Sequence, residues 1–300
     1  MRLVGYIDLP THDGPGGFDH AAVHLSRSLL YVAHTANSAI DVIDIRTDRY
    51  VESITGLGGV AGALVDEATD LVFTSNRGED TVGIFSPERP RDLVKVAVGS
   101  RPNGLAFDSG RKLLLAAGVG EPYSFTLVDV ARSKLVGTID SPGRTRWTVY
   151  DTASDAFYVN VGDPAVILVV DGAEPTRIAR QIPIPAKGPH GLDIDGAGGY
   201  LFCACDEGKI FKLRARSGDI VAEASLSGVP DVLWFNASLQ RIYVAVGDPG
   251  VIDVFDAGDL TRVATVSTEK GAHTTGFDSQ RNVLYAFLPE THRAAVFIDA

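Results

Sequence analysis

Short runs of alternating apolar and polar residues recur along this chain, separated by Asp, Gly and Pro. Seven times the pattern restarts, at Asp19, Ala61, Asn103, Arg146, His190, Asp231 and His273, after 41 to 44 residues. Each restart opens an apolar run that a polar residue closes five positions later: His24, Asp66, Asp108, Asp151, Asp195, Asn236 and Asp278. A second run follows, as in YVAH (31–34), FTSN (73–76), YVNV (158–161), LFCAC (201–205) and YVAV (243–246). A third ends in DVID (41–44), TLVD (126–129), IDVFD (252–256) or VFID (296–299), and a fourth reads VESIT (51–55), LVKVAV (93–98) or VATVST (263–268). β-Branched and aromatic residues at period two, punctuated by turn formers, predict strands rather than helices. A period of this length with several short strands per unit predicts a β-propeller.

Seven units fill the 300 residues, so the expected architecture is all-β, a single domain over 1–300 and a seven-bladed β-propeller. The last unit ends at Ala300 after three strands, and VGYIDLP (4–10) matches the outer-strand pattern. The N-terminal strand, residues 4–10, is therefore expected to complete the last blade, closing the ring and covering exposed strand edges.

FTSN followed by TVGIF (81–85), YVAH followed by IDVID (40–44), and the openings PNGLAFD and PHGLDID resemble YVTN-repeat seven-bladed propellers. The resemblance spans essentially all seven units. It implies the fold, and through lactonase-like and virginiamycin B lyase-like relatives it implies a range of roles from enzyme to binder. No relative's catalytic set carries over motif by motif.

Composition narrows the partners. The formal net charge is −11 with no basic stripe, which argues against nucleic acid and anionic membrane. No run of eighteen apolar residues and no secretory signal pattern occurs, so a cytoplasmic protein is expected. The only cysteines, Cys203 and Cys205, lie two residues apart in one strand, too close to staple the fold, which suits a reducing compartment. A monomer acting on a small-molecule substrate is expected.

In a propeller, sequence order is angular order, and the restart residues should ring the central channel. Blades 5, 6, 7 and 1 then place His190, Asp231, His273 and Asp19 or His20 side by side. Imidazole and carboxylate suit a divalent ion, about 2.0–2.2 Å away for zinc, and the set would equally accept iron or manganese. The plain alternative is that each histidine caps its strand against a backbone carbonyl. Opposite this arc, Asn103, Arg146 and Trp147 are candidates to hold a substrate's carboxylate or phosphate, although Arg146 could instead pair with an aspartate across the channel. His34, Asn76 and Arg77, at the end of second strands, are expected on the rim of the same pocket. Cys205 and Asp206 could add a thiolate ligand or supporting hydrogen bonds, with Cys205 as a small buried filler the alternative. Glu290 and His292, in LPETHRA, are candidates for acid–base chemistry over the channel mouth, or else a solvated turn. His12 and His24 carry no assigned role. No GxSxG elbow, HExxH or phosphate-binding P-loop occurs, and the two VGDP segments are turns. These readings predict a metal-dependent enzyme at the channel top, hydrolysing a lactone or ester or catalysing an elimination, with oxidative chemistry open if iron is bound. The rival expectation is a non-catalytic scaffold that binds a protein or small ligand.

Overall fold

The computed structural model describes residues 1–300. Its strands form seven four-stranded antiparallel sheets, and the only helical element is a single 3-10 turn at Thr35–Asn37. In blades 1 to 6 the four strands follow in chain order from the inside outwards. Blade 7 takes its outermost strand from the other end of the chain: Arg2–Asp8 pairs with Arg293–Ile298. The closure expected from residues 4–10 is thus present, beginning two residues earlier.

Each inner strand ends in a turn whose geometry explains the recurring polar residue. The side chains of Asp66, Asp108, Asp151 and Asp195 accept a hydrogen bond from the backbone N–H three residues on, at 2.8, 3.1, 2.9 and 2.9 Å. Asx side chains favour such turns because their oxygen substitutes for a backbone acceptor. Blade 1 has His24 here, and Glu67 of blade 2 takes over by accepting from the backbone N–H groups of Leu25 and Ser26.

Apolar side chains are gathered into seven clusters, one at each junction between neighbouring blades. Tyr158 of blade 4 packs with Leu192 and Phe211 of blade 5, and the N-terminal Ile7 and Leu9 pack with Val32 and Tyr285 between blades 1 and 7. The core is therefore a ring between blades rather than a centre, which leaves the axis free for polar groups.

The innermost strands carry one further repeated irregularity. In blades 3, 4, 5 and 6 the register shifts between Pro102 and Leu105, Thr145 and Thr148, Pro189 and Leu192, and Pro230 and Leu233. Each shift spans a restart residue. A bulge of this kind unpairs one residue and re-aims its side chain, so Asn103, Arg146, His190 and Asp231 leave the ladder at the upper end of the channel.

Candidate functional site

The restart residues meet around the upper mouth of the channel, the face where innermost strands begin. His190 lies between two carboxylates: its Nδ1 is 2.7 Å from Asp206 Oδ1 and its Nε2 is 3.3 Å from Asp231 Oδ1. The other oxygen of Asp231 faces His273 Nε2 at 3.8 Å. Asp19 contacts His20 Nδ1 at 2.6 Å and accepts from Arg77 at 3.0 Å, while Arg77 also donates to Asn103 Oδ1. Arg146 reaches Asp206 Oδ2 at 3.4 Å.

This wiring fixes the charges. Burial works against protonation of His190, but the Asp231 charge and hydrogen bonds to Asp206 and Asp231 outweigh it and lift the imidazole to about 9. His20 is likewise raised: burial opposes the charge, and Asp19 prevails. Asp231 is lowered, burial being overcome by His190, His273 and His20. His273 differs from its neighbours. Its Nδ1 lies 2.7 Å from the Gly271 carbonyl, which can only accept, so Nδ1 donates its proton there and Nε2 is the ring nitrogen turned towards Asp231 and the mouth. Its side chain is 37% exposed, so solvent and ligand can reach that nitrogen.

The expected metal set is brought to one mouth but is not assembled as a ligand cluster. No three His, Cys, Asp or Glu side chains are gathered where they could hold one ion. The physical reason is alternation: each carboxylate lies between imidazole or guanidinium partners, so the side chains face one another instead of a shared point. Asp19 and His20 also divide their duties. Asp19 joins the upper ring, whereas His20, 7% exposed, lies one position further along the strand, its ring 4.1 Å from Trp147 of blade 4 across the channel.

Two members of the expected substrate rim fall elsewhere. Asn76 is fully buried, bonded to Thr74 and Thr81. His34 is fully buried as well, its Nδ1 2.7 Å from Asp41 and its Nε2 2.8 Å from His12. His292, expected over the channel mouth, instead has its Nδ1 3.3 Å from that of His12 and forms the outer member of this imidazole row. Glu290 is exposed, and only its backbone N–H is engaged, by Glu269. Cys205 is fully buried in the core between blades 4 and 5, its sulfur 4.0 Å from that of Cys203.

Asp206 and Arg101 are the residues underrated by sequence. Asp206 directly follows the second strand of blade 5, as Arg77 follows that of blade 2, so in these two blades the loop position after the second strand reaches the ring. Arg101 and Arg144 line the rim without a carboxylate within salt-bridge distance. Burial, then the charges of Arg146 and Arg77, depress the Arg144 pKa, with Arg101 contributing too. The mouth thus has two unlike halves: arginines on blades 2 to 4, and imidazoles with carboxylates on blades 5 to 7 and 1.

No family model matches the chain, and no curated protein sequence matches it. Solved structures do. A chain of the Kuenenia stuttgartiensis hydrazine synthase is similar with a TM-score of 0.84 at 15% identity, covering 97% of both chains. A chain of a mitotic checkpoint complex is similar with a TM-score of 0.84 at 11% identity, covering 99% of this chain and 92% of the other. At such identities the likeness concerns the backbone alone. By its strands and by these likenesses, the chain is a seven-bladed β-propeller.

Proposed function

We propose that the upper mouth of the channel binds a small anionic, carbonyl-bearing molecule and hydrolyses it by acid–base catalysis. The observation that carries this reading is the pair of imidazoles on either side of Asp231, one clamped between two carboxylates and the other open to solvent. His190 holds two protons between carboxylates and serves as the acid. His273, its Nδ1 engaged by the Gly271 carbonyl, turns Nε2 to the open side, where the neutral imidazole would serve as the base. In hydrolysis of a lactone or ester, His273 takes a proton from the attacking water. His190 donates from Nε2 to the departing oxygen, and Asp206 keeps its ring oriented through Nδ1.

The arginines supply the binding energy. Arg146 reaches Asp206 only at 3.4 Å, and its Nε is buried without a partner, as is that of Arg77. A carboxylate or phosphate placed between Arg144 and Arg146 would gain charge-assisted bonds those groups lack in the free protein. In a chain of net charge −11, a local surplus of guanidinium at a concave mouth selects anions over the bulk surface potential. The sequence resemblance to lactonase-like propellers supports hydrolysis, and the lyase-like relatives support a second reading. In an elimination, the same base removes a proton next to the substrate's carboxylate and the same acid protonates the leaving group.

The test is a panel of lactones and carboxylate esters assayed by proton release at pH 7, with the protein as isolated and after incubation with zinc, manganese or ferrous iron. Conversion by the wild type is expected, falling by about two orders of magnitude or more in His273→Gln and in His190→Gln. Arg146→Ala should raise KM more than it lowers kcat. Absence of conversion throughout the panel, or activity indifferent to both histidines, rejects the assignment.

A further inference from the structure

Beneath the contact between His20 and Trp147, the lower half of the channel holds a cavity of about 410 Å³ lined mostly by hydrophobic side chains. It reaches the opposite face at Leu25, Asp66 and Ser279, in turns that close the inner strands. Its walls are uneven. Blades 1 to 3 contribute Ala22, Gly62, Gly104 and Ala106 beside larger side chains such as Leu64 and Phe107, whereas blades 4 and 6 contribute Trp147, Tyr150, Trp234 and Phe235. The concentration of aromatic rings on blades 4 and 6 gives a flat molecule a surface to stack on. Its volume lies within the roughly 300–1,000 Å³ range of small-molecule sites and is too small for a folded partner.

The polar groups of the wall say what such a molecule carries. No lysine or arginine lines the cavity, so nothing there pairs with an anion. Its two carboxylates are already committed. Asp193 accepts from the backbone N–H groups of Ile194 and Phe235 at 2.8 and 2.7 Å, and one oxygen of Asp66 accepts from Thr69 and Ser109. Asp193 is therefore engaged through both oxygens, and Asp66, at the lower opening, through one. By contrast, Thr148 is 3% exposed and its hydroxyl has no partner, and His20 Nε2 is buried without one. Buried polar atoms left unpaired cost stability, on the order of 1–3 kcal/mol each, and a ligand oxygen that reaches them removes that cost.

We infer that the lower channel is a second binding site, separate from the anion-binding mouth, for an uncharged aromatic molecule of one or two rings bearing a carbonyl or hydroxyl oxygen. The oxygen is placed by Thr148 and His20, and the ring packs against Trp147 and Trp234. This site shares no arginine with the upper mouth, so it stands or falls independently of the proposed hydrolysis.

The chain has two tryptophans and both line the cavity, so tryptophan fluorescence reports on this site. The probe is prodan, an uncharged naphthyl ketone, titrated into the full chain while tryptophan quenching and the blue shift of prodan are followed together. One-to-one saturable binding with coincident curves is expected. Val149→Phe, which places a ring in the cavity wall, should weaken binding about tenfold or more, a change of about 1.4 kcal/mol. Thr148→Val keeps the shape and removes the hydroxyl; it should weaken binding several-fold, and it decides the matter if the larger substitution impairs folding. Arg146→Ala should leave the titration unchanged. Unsaturable binding, prodan emission without tryptophan quenching, or an affinity indifferent to Thr148→Val overturns the inference.

Discussion

At the scale of single residues, the upper mouth is governed by His190. Its folded-state pKa, about 9, exceeds the ordinary value of 6.5, so the imidazolium stabilises the fold. The contribution is fully present below pH 6.5 and disappears as the pH rises through about 9. A shift of this size corresponds to about 3 kcal/mol. Thermal melts of the wild type are therefore expected to fall between pH 6.5 and 9. In His190→Gln that fall should be much smaller, leaving the part due to His20, whose pKa is raised in the same sense. Equal slopes in the two proteins would show that His190 is not held as a cation. Membership of this ring was legible in the sequence, because the repeat sets both angle and depth. The pairing was not. Whether a carboxylate shares a metal with an imidazole or neutralises it depends on side-chain directions within an ångström or two, and the repeat carries no information at that distance. His34 and His292 show the same limit: the one at the end of its strand and the other in the turn before Arg293–Ile298, they meet His12 rather than the channel mouth.

At the scale of the strand, the ring depends on how closely neighbouring inner strands approach. The residue after the restart is glycine in blades 2, 3 and 5, and a Cβ at Gly104 would lie 2.6 Å from the Arg146 carbonyl oxygen. At Gly191 it would lie 2.5 Å from that of Asp231. These contacts are with backbone, which cannot rotate away. Gly104→Ala is expected to cost about 1–3 kcal/mol, the usual range for overpacking, and to lower Tm accordingly. Gly137→Ala, where the nearest atom is a leucine methyl at 3.7 Å, should change stability by less than about 0.5 kcal/mol. Comparable melts for the two variants would contradict the close approach. Blades 1 and 4 depart from glycine with His20 and Trp147, and these are the side chains that meet across the channel. The strands, their order and their turns were readable from period-two alternation and the recurring Asx residues. The bulges were not, because each lies at the first residues of its strand, where too few positions precede it to reveal the change of phase.

At the scale of the whole molecule, stability rests on closing the ring between its two chain ends. The N-terminal strand Arg2–Asp8 is mostly exposed along its outer face, yet Ile7 and Leu9 are 3% and 7% exposed in the junction between blades 7 and 1. Removing residues 1–10 exposes that junction and the edge of Arg293–Ile298 together. Loss of two buried aliphatic side chains alone removes roughly 3–6 kcal/mol, before any unpaired strand edge is counted. Domains of this kind are stable by roughly 5–15 kcal/mol in all. Truncation should therefore take most of the margin, with a large drop in Tm and a rise in aggregation through the freed edge. The ring transmits this loss, because every blade buries its apolar faces only against its neighbours, and one open junction leaves two blades half covered. Melting of the truncated chain by calorimetry and light scattering decides the point. A cooperative transition at the full-length temperature would mean that six complete blades and a three-stranded seventh are sufficient, and that the paired termini contribute little.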